Sequence, residues 1–118
     1  MKSNSIAQFQ HIVSEVEYQF HEKLKNIEIF KCKIILIDGS NLRIQEKYNF
    51  ENLTYYSYYW LSPSNKLIIG WDCAPHHPSI STYPHHKHIT YQKNVHSSNE
   101  RKLLEVLNFI EIRLLDNE

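Results

Sequence analysis

Glycine is scarce in this chain, two residues among 118. The scarcity excludes a phosphate-cradling loop, and neither a P-loop nor a dinucleotide fingerprint is present. Cysteine is as scarce. Cys32 and Cys73 have no CxxC spacing and are too few for a disulfide framework. They read as reduced thiols of a cytoplasmic protein, with Cys73 a small hydrophobe rather than a nucleophile. No stretch approaches the roughly 18 apolar residues of a membrane span, and the opening MKSNSIAQFQ lacks the apolar run of a signal peptide. Net charge is missing too, since 13 basic residues balance 13 acidic ones. Nucleic-acid binders are usually basic, so this balance weighs against that class unless positive charge is gathered locally.

What the chain has in quantity is tyrosine and histidine, eight of each. Its length suits a single domain, residues 1–118, able to bury a core without metal or disulfide staples. Residues 5–25 carry Ile6, Phe9, Val13, Val16, Phe20 and Leu24 at three- and four-residue spacing, which predicts an amphipathic helix. His11 and His21 in that segment read as solvated or half-buried. From Ile27 the period changes, and IEIFKCKIILID predicts a strand. Asp38 and Gly39 then give a hairpin signal.

LRIQEKY is a second strand, with Leu42, Ile44, Glu46 and Tyr48 on one face. YYSYYWL and KLIIGWD are the third and fourth. Pro75 and Pro78 make the next segment a loop, and KHITYQ is the fifth strand. SSNE at residues 97–100 is a capping-box pattern, followed by a helix with Leu103, Leu104, Leu107, Ile110, Leu114 and Leu115 on its apolar side. The expected fold class is α+β: an N-terminal helix, an antiparallel sheet of about five strands and a C-terminal helix, with both helices on one sheet face.

Residues 75–88, PHHPSISTYPHHKH, concentrate the imidazoles. In an extended strand His86 and His88 point one way, toward the face the helices leave open, about 6.5–7 Å apart by the rise per residue. Asp72, His76 and His77 belong to the loop that returns near the start of this strand, and His85 stands at the strand's entrance. Asp72 is a candidate to orient a histidine and raise its basicity.

Cleavage of RNA by its own 2′-hydroxyl needs a base, an acid and a cation, and histidine suits both proton roles near neutral pH. Lys87 is the candidate for the developing oxyanion charge. Tyr56, Tyr58 and Trp60 share one face of the third strand and are candidates to stack unpaired bases, with Glu46 divided between the sheet rim and a substrate-binding role. Three readings stay open: metal-independent acid–base catalysis, a hydrolase using the same histidines as metal ligands, and a non-catalytic module whose sheet face binds a partner.

The combination of DGS (Asp38, Gly39, Ser40), the strand with Glu46, YSYYW, then WDCAPHHPSISTYPHHKH and a C-terminal helix resembles the TumE-like toxin family over residues 27–115. The resemblance implies a type II toxin acting as a ribonuclease, and under the acid–base reading no cofactor is expected. It also implies neutralisation by a cognate antitoxin, a small protein with a winged-helix-type DNA-binding domain. The family motif falls on Asp72, His76 and His77, then on His85, His86, Lys87 and His88. Cys73 and Tyr59 depart from it, standing where asparagine, and histidine or another polar residue, are usual. RNA is the implied substrate, no membrane partner is expected, and the oligomeric state is open between monomer and homodimer.

Overall fold

The computed structural model describes residues 3–116. A short helix, α1 (Ser3–Ala7), and a single 3-10 turn (Gln10–Ile12) lead into seven strands. These are β1 (Val13–Leu24), β2 (Ile27–Leu36), β3 (Asn41–Asn49), β4 (Asn52–Leu61), β5 (Leu67–Asp72), β6 (His86–Ile89) and β7 (Val95–Ser97). Helix α2 (Leu103–Asp116) closes the chain. All seven strands form one antiparallel meander in sequence order.

The helical segment expected at residues 5–25 is mostly strand. Ile6, Phe9 and Ile12 are buried by the opening turns, but Val13 onward pairs with β2. Val16, Tyr18 and Phe20 alternate with Glu17 and Gln19, a strand period that coexists with the three- and four-residue steps. Ten residues of β2 offered as a ladder decide between the two. The sheet therefore has seven strands rather than about five, because β1 replaces the expected helix and β7, only three residues long, is too short to show a period. Helix α2 starts at Leu103, after the SSNE pattern, and the Arg101 N–H donates to Glu105 Oε1 at 2.9 Å as the local cap.

Gly39 takes φ +86° in the DG turn, a left-handed conformation that glycine adopts without Cβ strain. The strands β2 to β4 then alternate cleanly. Cys32, Ile34, Leu42, Ile44, Tyr56, Tyr58, Trp60 and Trp71 are buried on the face covered by α2, whose Leu103, Val106, Leu107 and Ile110 complete the core. Lys31, Arg43 and Gln45 are exposed on the other face. One sheet thus carries a sealed face and an open one, and strand parity assigns each functional candidate to one of them.

Candidate active site on the open sheet face

Strand β6 is a four-residue strand of alternating burial. Its register pairs Asp72 with His86 and Gly70 with His88. Both histidines point to the open face, as parity predicts, yet they are 2% and 6% exposed because a loop covers them. That loop, residues 73–85, starts on an Asx turn in which Asp72 Oδ1 accepts the Ala74 N–H at 2.6 Å. Thr82 anchors its far end, donating from Oγ1 to the His85 carbonyl (2.6 Å) and accepting the Ser98 N–H (2.9 Å). Between these anchors the chain returns His77 to the strand.

The three rings meet edge to face. His77 lies 4.8 Å from His86 and 5.9 Å from His88 between centroids, and His86 lies 4.9 Å from His88. The Nδ1 atoms of His86 and His88 lie 2.9 Å from the Pro84 carbonyl and 2.7 Å from the Gln92 carbonyl. A carbonyl only accepts, so each Nδ1 carries the proton and each Nε2 keeps its lone pair in the neutral ring. One ligand-type nitrogen from each of the three histidines lies within 4.8 Å of the others. Burial is the main influence lowering the His88 pKa from the usual imidazole value, with the His86 and His77 rings adding to it. The Gln92 carbonyl and the Asp72 charge oppose the shift without cancelling it.

The other residues singled out in the sequence are distributed elsewhere. His85 lies beside Tyr56, with Nδ1 2.8 Å from the phenol oxygen and the rings stacked at 5.8 Å. Its pKa is lowered by burial, then by the charge of Arg101 and by His86. Lys87 faces the helix, its Nζ 3.2 Å from Glu100 and 5.5 Å over the Phe109 ring. Trp71 Nε1 donates to the same Glu100 oxygen at 3.0 Å. Lys87 is therefore part of the clamp between sheet and helix, across the sheet from the imidazole cluster. His76 is exposed on the loop.

The candidate base-stacking residues are also on the sealed side. Tyr56, Tyr58 and Trp60 are 2%, 0% and 5% exposed. Tyr58 donates to Glu46 Oε2 at 2.5 Å and Trp60 Nε1 to Ser40 Oγ at 3.0 Å. Glu46 is itself buried. Burial first, then the Glu46 charge, raises the pKa of the Tyr58 phenol far above its usual range. These four residues form a polar inlay in the core, not a platform. The open-face residues of β4 are the alternate ones, Ser57 and Tyr59.

The Tyr59 ring reaches within 6.4 Å of His88. It lies over Gly70, where an added Cβ would stand 2.7 Å from Tyr59 Cε2. The same period-two rule that selects His86 and His88 selects Tyr59, so this signal was present in the sequence. Cys73 is half-buried. Its Sγ accepts the Tyr56 N–H at 3.4 Å and burial raises its thiol pKa, which suits packing and not nucleophilic attack.

Among the described residues no helix is long and apolar enough to cross a membrane. No curated protein and no solved structure matches the chain. The family model described as "Toxin TumE" matches residues 2–114. That span is nearly the whole chain, so the protein belongs to the TumE toxin family, and a toxin of this family has a cognate antitoxin as its partner.

Proposed function

We propose that this toxin is an endoribonuclease whose centre is the cluster of His77, His86 and His88. The observation that carries the proposal is the convergence of three imidazoles from a loop and a strand, two of them fixed in one tautomer by backbone carbonyls. His88 is held neutral by burial, so its Nε2 is able to accept the 2′-hydroxyl proton. The 2′-oxygen then bonds to phosphorus, the P–O5′ bond breaks, and His77 gives a proton of its own ring to the departing 5′-oxygen while His88 keeps the one it took. His77 is the least buried of the three, which suits the group nearest the leaving strand. The products are a 2′,3′-cyclic phosphate and a 5′-hydroxyl. Each proton transfer is worth about 10²–10⁴-fold in rate.

Purified protein incubated with total RNA and a chelator, followed by end-group analysis, tests this. A 2′,3′-cyclic end formed by the parent protein and not by His88→Ala is the expected result. Intact RNA under all conditions sinks the proposal.

A second reading is favoured by one specific observation. Metal-bound imidazoles usually donate the second ring N–H to a carbonyl or carboxylate, as His86 and His88 do to Pro84 and Gln92. In this reading the three histidines would hold a divalent ion such as Zn²⁺, which would supply a Lewis acid for the phosphate. Zinc–nitrogen bonds of about 2.0–2.1 Å in tetrahedral geometry put ligand nitrogens about 3.4 Å apart. The cluster, now within 4.8 Å, would have to close slightly. One equivalent of metal in the purified protein, lost in His77→Ala together with activity, decides for this reading.

A further inference from the structure

The open face holds more than the histidines. A groove of about 330 Å³ is walled by Tyr18, Lys31, Arg43, Gln45, Ser57 and Tyr59 among others, and Tyr59 is its link to the cluster, with its ring 6.4 Å from His88. No acidic side chain lines it. Lys31 and Arg43 are exposed, and neither enters an ion pair among the described residues. Lys33, their neighbour on β2, is already bound to Glu17 at 3.2 Å. In a chain with no net charge, two unpaired cations in a wall without carboxylates form a local positive site.

The register connects this groove to the histidines. Arg43 pairs with Tyr59, Tyr59 with Gly70 and Gly70 with His88. Lys31 pairs with Gln45, Gln45 with Ser57, Ser57 with Asp72 and Asp72 with His86. Two cross-strand rows thus begin at a cation and end at a cluster histidine. At the usual strand spacing Arg43 stands about 14 Å from His88 and Lys31 about 19 Å from His86. Tyr59 lies between, its ring free to extend over Gly70 because position 70 has no Cβ. Tyr18, 49% exposed, adds a second aromatic at the far end.

We infer that single-stranded RNA lies along these rows, its phosphates on Lys31 and Arg43 and a base against Tyr59, so that the strand is delivered to the histidine cluster. Cations alone would suit any nucleic acid. The aromatic ring between them and the cluster selects unpaired bases, whose faces are open to stacking. The inference rests on the ribonuclease reading for the identity of the polymer, but its residues lie outside the cluster.

The test uses a short fluorescein-labelled single-stranded RNA and anisotropy titrations in a His88→Ala background, so that the probe survives. Arg43→Ala and Lys31→Ala should each weaken binding about tenfold at low salt and reduce the log–log salt slope by about 0.7. Tyr59→Ala should weaken it by a similar factor while Tyr59→Phe, which keeps the ring, stays near the parent. Lys102→Ala, on the helix side, should change nothing. With His88 present, the three alanine variants should raise KM more than they lower kcat. Groove variants that bind and cleave like the parent overturn the inference while leaving the ribonuclease reading intact. A parent protein that binds RNA but cleaves none, with binding lost in the groove variants, has the opposite meaning: the track stands and the catalytic reading falls. Equal affinity for duplex RNA overturns the single-strand assignment, and so does RNA binding that is unchanged while antitoxin binding is lost.

Discussion

The two faces of this one sheet are built from the same residue types and do different work. On β4, Tyr56, Tyr58 and Trp60 alternate with Ser57 and Tyr59, and on β6, His86 and His88 alternate with Lys87. The sealed face uses its polar atoms to satisfy one another: Tyr58 on Glu46, Trp60 on Ser40, and both Lys87 and Trp71 on Glu100. The open face pairs Lys33 with Glu17 but, among the described residues, leaves other groups unmatched: the Nε2 lone pairs of His86 and His88, and the charges of Lys31 and Arg43. A buried polar group must be paired or it costs stability. A group meant for a ligand must be left with bonding capacity to spare. Residue type alone therefore does not assign a role here, because a tyrosine or a charged side chain is structural or available according to which side of the pleat it occupies.

The largest contrast is expected between truncations of neighbouring residues on β6. His88→Ala should lower RNA cleavage by about 10²–10⁴-fold and relieve growth arrest with the fold retained. Lys87→Ala should leave kcat near the parent value and lower stability by about 1 kcal/mol or less, since it loses one partly exposed ion pair. Equal loss of activity in both variants would erase the distinction between the faces. Next in size is Trp71→Ala, which empties a wholly buried site against Phe109 and should cost about 3–5 kcal/mol in a denaturant titration.

Smaller still is Tyr58→Phe, which withdraws a hydrogen bond from buried Glu46 and should cost about 1–3 kcal/mol with no change in RNA affinity. Gly70→Ala sharpens the comparison from the other side. Its Cβ meets the Tyr59 ring at 2.7 Å, so the ring must move, and cleavage should fall while thermal stability changes little. The least effect is in the pH profile. Burial lowers the His88 pKa below its unfolded value, and the unfolded chain therefore binds more protons in that interval. Stability from this group is complete above about pH 6.5 and is lost as pH falls toward the folded pKa. His85 adds to the trend for the same reason, burial. A His85→Gln, His88→Gln double variant should show a flatter stability curve below pH 6.5 than the parent.

Much of the scaffold was legible. The residues 27–72 read as four strands because alternation, the DG turn and the SPSN turn agree with one another. The placement of His86 and His88 on the open face followed from parity and from the apolar neighbour Ile89. The first strand is ambiguous in the sequence because Val16 and Phe20, four residues apart, satisfy two periods at once. Tyr56, Tyr58 and Trp60 have the rings that stacking needs, but Glu46, Ile44 and Leu42 are their partners in the ladder and hold them on the sealed side. Lys87 has the charge that a phosphate contact needs, but its parity sets it opposite the histidines.

By itself the sequence determined the sheet's central strands, the alternation that separates the two faces, and the family, because local period and motif spacing are properties of neighbouring residues. Only the tertiary structure decided which loop histidine joins the cluster, since the return of residues 73–85 over β6 depends on the anchors at Asp72 and Thr82. It alone decided that Val13–Leu24 is a strand, because the hydrogen-bonding edge of β2 outweighs a local helical spacing. It alone brought Lys31, Arg43 and Tyr59 into the rows that reach His86 and His88, because contacts across a sheet are set by register between strands and not by distance along the chain.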